Sequence, residues 1–206
     1  PLSGGDGADR PAPRDDQNSM TAHAQLVAKT KQGRIDVYFL GDSIVRRWGA
    51  TDYPELLANW TANFFGWNAA NFGWGADRIE NVLWRLENGE LDAVNPRVIV
   101  ILAGTNNVGR EPGGPEKIAN ITRGLRALVD LCRLKSPQAT IVLNLRNAYD
   151  IVNPQERGET IERAIELAAS LICHGCLENF AVALSIAGAE PEQAAVPQVP
   201  QMGREI

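Results

Sequence analysis

At 206 residues, with 44% apolar and 22% charged side chains, the chain has the size and balance of one globular domain able to bury a core without staples. A formal charge of −5 offers no basic surface for nucleic acid or an anionic membrane, so neither is an expected partner. No uninterrupted apolar stretch approaches the roughly 18 residues that cross a bilayer.

Residues 1–18 are rich in Gly, Pro, Asp and Arg, have almost nothing to bury, and read as a mobile leader of the kind found after a cleaved signal peptide. Ser19 is placed to cap a helix through "MTAHAQLVAKTKQ", with Gly33 as its stop. His23 falls on the exposed or boundary face of that helix. "IDVYFL" (35–40) is a short apolar run ended by Gly41, which suits a buried parallel strand. "YPELLANW" (53–60) has helical spacing with a proline near its start, and "WNAANFG" (67–73) is a second extended piece.

"RIENVLWRLENGEL" sets Ile79, Val82, Leu83 and Leu86 on one helical face and ends at Gly89. "RVIVILAG" (97–104) is the clearest buried strand. "PEKIANITRGLRALVDLCRLKS" is an amphipathic helix and "ATIVLNL" (139–145) a further strand. "ETIERAIELAASLI" reads as another helix, "NFAVALSIAG" (179–188) as a fifth strand, and residues 187–206 as an atypical, loose tail. This alternation predicts a parallel sheet with helices on both faces, the architecture that binds ligands beyond the C-terminal ends of its strands. Ser43, the "GWGAD" turn and Asn106 all fall just past such ends.

The three segments at that edge carry a resemblance. "FLGDSIVRRWG", "NFGWGADRIENVLWRLENGEL" and "VILAGTNNVG" occur in the order and spacing of the GDSL, or SGNH, hydrolases. The branch they most resemble is that of the platelet-activating-factor acetylhydrolase catalytic subunits and bacterial secreted esterases. The likeness covers residues 34–143. It implies an α/β fold, a flavodoxin-like three-layer α/β/α sandwich with a five-stranded parallel sheet, over a single domain at 19–186. It implies a serine esterase cleaving short acyl esters, carbohydrate acetyl or small aryl esters by analogy, without cofactor or metal. With the leader, it also implies a secreted or periplasmic location.

On the matching positions Ser43 is the nucleophile and, through its own N–H, one oxyanion donor. Ala76 supplies a second N–H, which survives the replacement of the family's glycine if the turn needs no positive φ there. Asn106 offers its side-chain amide as the third donor. Asp42 fixes the turn by backbone hydrogen bonds, and Gly75, Trp48 and Trp74 border the cleft. For the two tryptophans an apolar acyl wall and simple packing both stay open. Trp84 and Leu86 pack the helix onto the sheet, Arg85 pairs with a carboxylate or a loop, and Thr105 and Asn107 shape the turn carrying Asn106.

The family's closing block, an Asp with the base His three residues later, is not found. At the expected distance the chain reads "GAEPEQ", where Glu190 and Gln193 have the spacing but glutamine cannot relay a proton. From about Asn144 the chain looks unlike the family, and the abruptness of the change favours a misread or altered end over gradual divergence. Of the two histidines, His174 is the better candidate base and His23 the weaker. Without an imidazole at Ser43 the chain is expected to be a binding protein with near-zero esterase activity. Cys173 and Cys176 have metal-like spacing but too few companions for four ligands, and with Cys132 they make an odd set.

Overall fold

The computed structural model describes residues 7–110 and 113–143. In chain order these form α1 (Gln17–Thr30), β1 (Val37–Gly41), α2 (Ser43–Trp48), α3 (Pro54–Phe64), β2 (Ala69–Gly73), α4 (Ile79–Arg85), β3 (Val98–Leu102), α5 (Thr105–Val108), α6 (Pro115–Lys135) and β4 (Thr140–Leu143). All strand pairs are parallel, in the order β2-β1-β3-β4. The α/β class and its parallel sheet are as expected. Four strands lie among the described residues, and the expected fifth, at 179–188, lies outside them.

Strand alternation sends the side chains to two cores. Tyr38, Leu40, Phe72, Ile99 and Ile101 face α4 and α6, whose Val82, Leu83, Leu125, Leu128 and Cys132 close over them. Burial pushes the Cys132 thiol up to about 12, which makes it an inert part of this core. On the other face Phe39 and Leu102 meet Val45 of α2 and the aromatic rings of Trp48, Trp60 and Phe64. Phe39 makes edge-on contacts with all three rings, at centroid distances of 4.9 to 5.5 Å. Helices on both faces of one sheet make the three layers.

Two details at the start of the chain depart from expectation. The cap of α1 is Asp16, whose carboxylate accepts the Ser19 N–H and hydroxyl, both at 2.8 Å. Ser19 therefore sits in the first turn as a donor, and the helix stops at Thr30, before Gly33. The expectation that the leader has almost nothing to bury is corrected at Ala8. That side chain packs against Gly124 of α6, while its N–H donates to Asn120 at 2.9 Å. A side chain at 124 would have its Cβ 2.7 Å from that of Ala8, so the glycine makes the contact possible.

The strand ends that carry the loops are glycines for the same steric reason. A Cβ on Gly41 would lie 2.0 Å from the Leu102 carbonyl oxygen, and one on Gly73 would lie 2.3 Å from the Arg46 nitrogen of α2. Both obstacles are backbone, so neither can rotate away. Gly73→Ala is expected to destabilise the fold by at least about 2 kcal/mol, because α2 must be pushed off β2. A lowered urea midpoint would show it, and an unchanged midpoint would contradict the close approach.

Candidate active site

The register brings three loops to one edge. Gly41 pairs with Gly73 on one side and Leu102 on the other, so β1, β2 and β3 end level with one another. Ser43 comes two residues past Gly41 as the first residue of α2, Ala76 three residues past Gly73, and Asn106 four past Leu102. Asp42 is fully buried and caps α2, its Oδ1 accepting the Ile44 N–H at 2.9 Å. Burial raises its pKa, opposed by that bond and by a hydrogen bond from Thr105 on the β3 loop. Asp42 thus fixes the turn, as expected, and also joins the first loop to the third.

The second and third loops are joined more directly. The Asn106 side-chain Nδ2 donates to the Asp77 carbonyl at 2.7 Å. An amide nitrogen carries two hydrogens, so one N–H of Asn106 is engaged here and a second exists. Asn107 Oδ1 accepts the Ile79 N–H at 2.9 Å and its Nδ2 donates to Glu80 at 2.8 Å, which pins α5 to the start of α4. Ala76 is exposed and has φ +61°, the left-handed region. The condition set for it is therefore not met: the turn does use a positive φ at the position where the family has glycine. Gly75 does not show one.

Beneath these loops lies Arg85. Its Nε donates to Asp77 Oδ2 at 2.8 Å, its Nη1 to the Phe72 carbonyl and to Glu90, and its Nη2 to the Gly41 and Phe72 carbonyls, both at 3.2 Å. Asp77 and Glu90 are themselves buried. Burial lifts the Asp77 carboxyl to about 6, although Arg85 and Arg14 pull it down. Arg85, by contrast, holds its proton more firmly than usual: burial works against its charge, but Glu90 and Asp77 outweigh it. Glu90 reconciles the two, since its charge favours the guanidinium and repels the neighbouring carboxylate.

Comparison with known proteins gives the family and the fold. The GDSL-like lipase/acylhydrolase family matches residues 39–195. The platelet-activating factor acetylhydrolase IB subunit alpha1 of Pongo abelii is 33% identical over 168 residues, covering 78% of this chain and 67% of that protein. The subunit alpha2 of Rattus norvegicus is 37% identical over 129 residues, covering 62% and 51%. A GDSL-like lipase from Bacteroides thetaiotaomicron shares the fold, with a TM-score of 0.52 at 16% identity over 77% of this chain and 75% of that one. The chain belongs to the GDSL-like lipase/acylhydrolase family.

Membership supports ester hydrolysis as the general class of chemistry. The chain spans about half to two thirds of the length of these acetylhydrolase subunits. The family match continues to residue 195, which corrects the expectation that the chain is unlike the family from about Asn144.

Of the cleft residues, Trp74 lies at the rim. Its backbone N–H donates to the Gly41 carbonyl at 3.1 Å, its indole N–H to Ser19 Oγ at 2.9 Å, and Arg46 stacks over its ring. Trp48 belongs to the aromatic core: it packs on Phe39, Trp60 and Phe64 and donates to Asn59 at 2.8 Å. His23 is bonded through Nδ1 to Glu90 at 2.8 Å and lies against Trp84, which fits its boundary position. His174, Glu190, Gln193, Cys173 and Cys176 lie outside the described residues. Among the described residues no side chain is hydrogen-bonded to the Ser43 hydroxyl, no group of side chains could hold a metal, and no helix is long and apolar enough to cross a membrane.

Three participants escape the sequence reading: Glu90, Arg14 and Ser19 in its role as acceptor. Glu90 lies 67 positions from His23, so no local pattern announces the pair. Arg14 has the look of a residue in a solvated leader.

Two measurements test the turn. Ala76→Gly is expected to stabilise the protein by about 0.5–1 kcal/mol, the relief of a left-handed alanine less the extra freedom of an unfolded glycine. A raised denaturant midpoint would show it. For Asp77 the folded pKa of about 6 lies above the ordinary 3.8, so the folded state holds more protons between these values. Stability should fall as pH rises through that window, by something of the order of 3 kcal/mol, and then level off. Asp77→Asn should lack that slope when urea midpoints are compared from pH 4 to 7 (the range about the window).

Proposed function

We propose that the chain hydrolyses short acyl esters through an acyl-enzyme on Ser43. What carries this reading is the convergence at one sheet edge of a serine, a turn with an outward alanine, and an asparagine amide tied to that turn. In the proposed reaction Ser43 Oγ attacks the ester carbonyl carbon, and its proton passes to a base. The carbonyl oxygen takes the negative charge and is held by the N–H groups of Ser43 and Ala76 and by the second N–H of Asn106. Collapse of this intermediate expels the alcohol, which takes the proton, and leaves the acyl group on Ser43. Water then repeats the sequence and releases the acid.

His23 is engaged by Glu90, which leaves His174 as the other histidine of the chain and as our candidate base. Acetyl-sized groups are the proposed acyl specificity, supported by the acetylhydrolase names of the relatives. A small-molecule ester, of a carbohydrate or an aryl alcohol, is the proposed substrate, and export from the cytoplasm the proposed setting. The second reading, a family member that binds such ligands without turning them over, draws on the Asp-x-x-His block not found in the sequence.

With p-nitrophenyl acetate as substrate, Asn106→Ala is expected to lower kcat by about 100- to 1000-fold with little change in KM. Ser43→Ala should abolish turnover and prevent the mass increase caused by an organophosphonate. A folded wild-type protein that is neither labelled nor active, yet is stabilised by ester ligands, would decide for the binding protein.

A further inference from the structure

The segment before α1 is latched onto the turn that carries Ala76. Arg14 Nη1 donates to the Gly75 carbonyl at 3.2 Å and lies 3.5 Å from Asp77 Oδ1, while its Nη2 is 3.0 Å from the α1 cap Asp16. Ser19 Oγ accepts the Trp74 indole N–H at 2.9 Å. Both bonds therefore end on residues 74–77, from a stretch about 60 positions earlier. The approach is held upstream as well. The Ala12 N–H donates to the Glu80 carbonyl at 3.0 Å, the Ala12 carbonyl accepts from Asn81 at 3.0 Å, and Ala8 is buried against α6.

We propose that residues 8–19 form a strap over the edge of the site, and that Arg14 and Ser19 are positioning residues for the Ala76 N–H. The kinetic consequence of the strap rests on the esterase reading; its geometry does not. Ala76 is exposed and sits in a conformation that its side chain disfavours, so its amide direction is set by its neighbours. Arg14 binds the residue before it by the carbonyl and the residue after it by the carboxylate. Both contacts come from one nitrogen, Nη1, while Nη2 reaches Asp16, so the planar guanidinium ties the turn to the α1 cap in one fixed geometry. Arg85 holds Asp77 from beneath, whereas Arg14 holds the turn from the N-terminal side and keeps about a quarter of its side chain exposed. Its replacement should therefore leave the core intact.

The test uses the full chain. Arg14→Ala is expected to lower kcat for p-nitrophenyl acetate by about 10-fold or more while KM stays within about twofold, since a displaced oxyanion donor acts only in the transition state. Arg14→Lys should recover part of the loss, and Ser19→Ala should give a smaller one. Arg34→Ala, which removes only an exposed pair with Asp36 at the opposite end of β1, should change nothing. Amide exchange read by mass spectrometry supplies the second measurement: exchange across residues 74–77 should speed up in Arg14→Ala and not in Arg34→Ala. An unchanged kcat and unchanged exchange in folded Arg14→Ala would overturn the strap. If the wild type neither turns over esters nor takes the organophosphonate, the esterase reading fails separately. Faster exchange in Arg14→Ala would then still support the strap, and unchanged exchange would still sink it.

Discussion

One guanidinium joins the parts on which the rest of the edge depends. Arg85 sends its donors to the last carbonyl of β1, to the last but one of β2, and to the carboxylates of Asp77 and Glu90. Those carbonyls belong to Gly41 and Phe72, at the points where the chain leaves the sheet for the Ser43 loop and the Ala76 turn. Such a group is costly to bury. Removing each ion from water costs several kcal/mol, and a well-packed apolar cluster of the same volume is often as stable. Stability is thus a poor explanation for it. An apolar cluster, however, could not bind two strand-end carbonyls and a turn carboxylate at once, and a fork of five N–H groups can.

The buried charges are arranged so that each explains another. Glu90 would be an isolated carboxylate in a core were it not met by Arg85 and by His23; the Tyr38 hydroxyl holds the same residue by its backbone carbonyl, at 2.8 Å. Burial, aided by Glu90, raises the pKa of Tyr38 well above its ordinary value, so the phenol remains a donor. His23 in turn fastens α1 to this network, which brings the helix start, and Ser19 with it, to the rim. A histidine that a sequence reading weighs as a weak catalytic candidate is accounted for here as the bridge between a helix and a buried acid.

The fold was legible because its signals are local. β1 and β3 are short apolar runs stopped by glycine or by a glycine-containing turn, and α4 and α6 show the periodicity of a one-sided helix. The three candidate residues at the edge were legible too, since a parallel sheet places the loops leaving its strands at the same end. The N-terminal segment was not. Arg14, Ala8 and Ala12 form no pattern at any helical or strand period, and their partners lie in α4, α6 and the Trp74 turn. Trp48 was ambiguous for a related reason: an aromatic beside a nucleophile has the same spacing whether it lines a cleft or packs on Phe39, and only the sheet face decides. The cap at Asp16 was missed because Ser19 is also a good capping residue. Two equivalent signals three positions apart are resolved only by where the chain before them runs.

Ala76 shows how these constraints combine. A left-handed alanine costs roughly 1–2 kcal/mol relative to an ordinary backbone, so the turn would relax if it were free to do so. Asn106 holds the next carbonyl, Arg85 and Arg14 hold the next carboxylate, and Arg14 also holds the carbonyl before. These bonds form only with the turn in this conformation, so together they oppose its relaxation. On the proposed reading the position departs from glycine and keeps its N–H direction because that direction is set from outside the residue. The same reading makes the side chain at 76 matter less to the site than the two arginines and the asparagine that grip its neighbours.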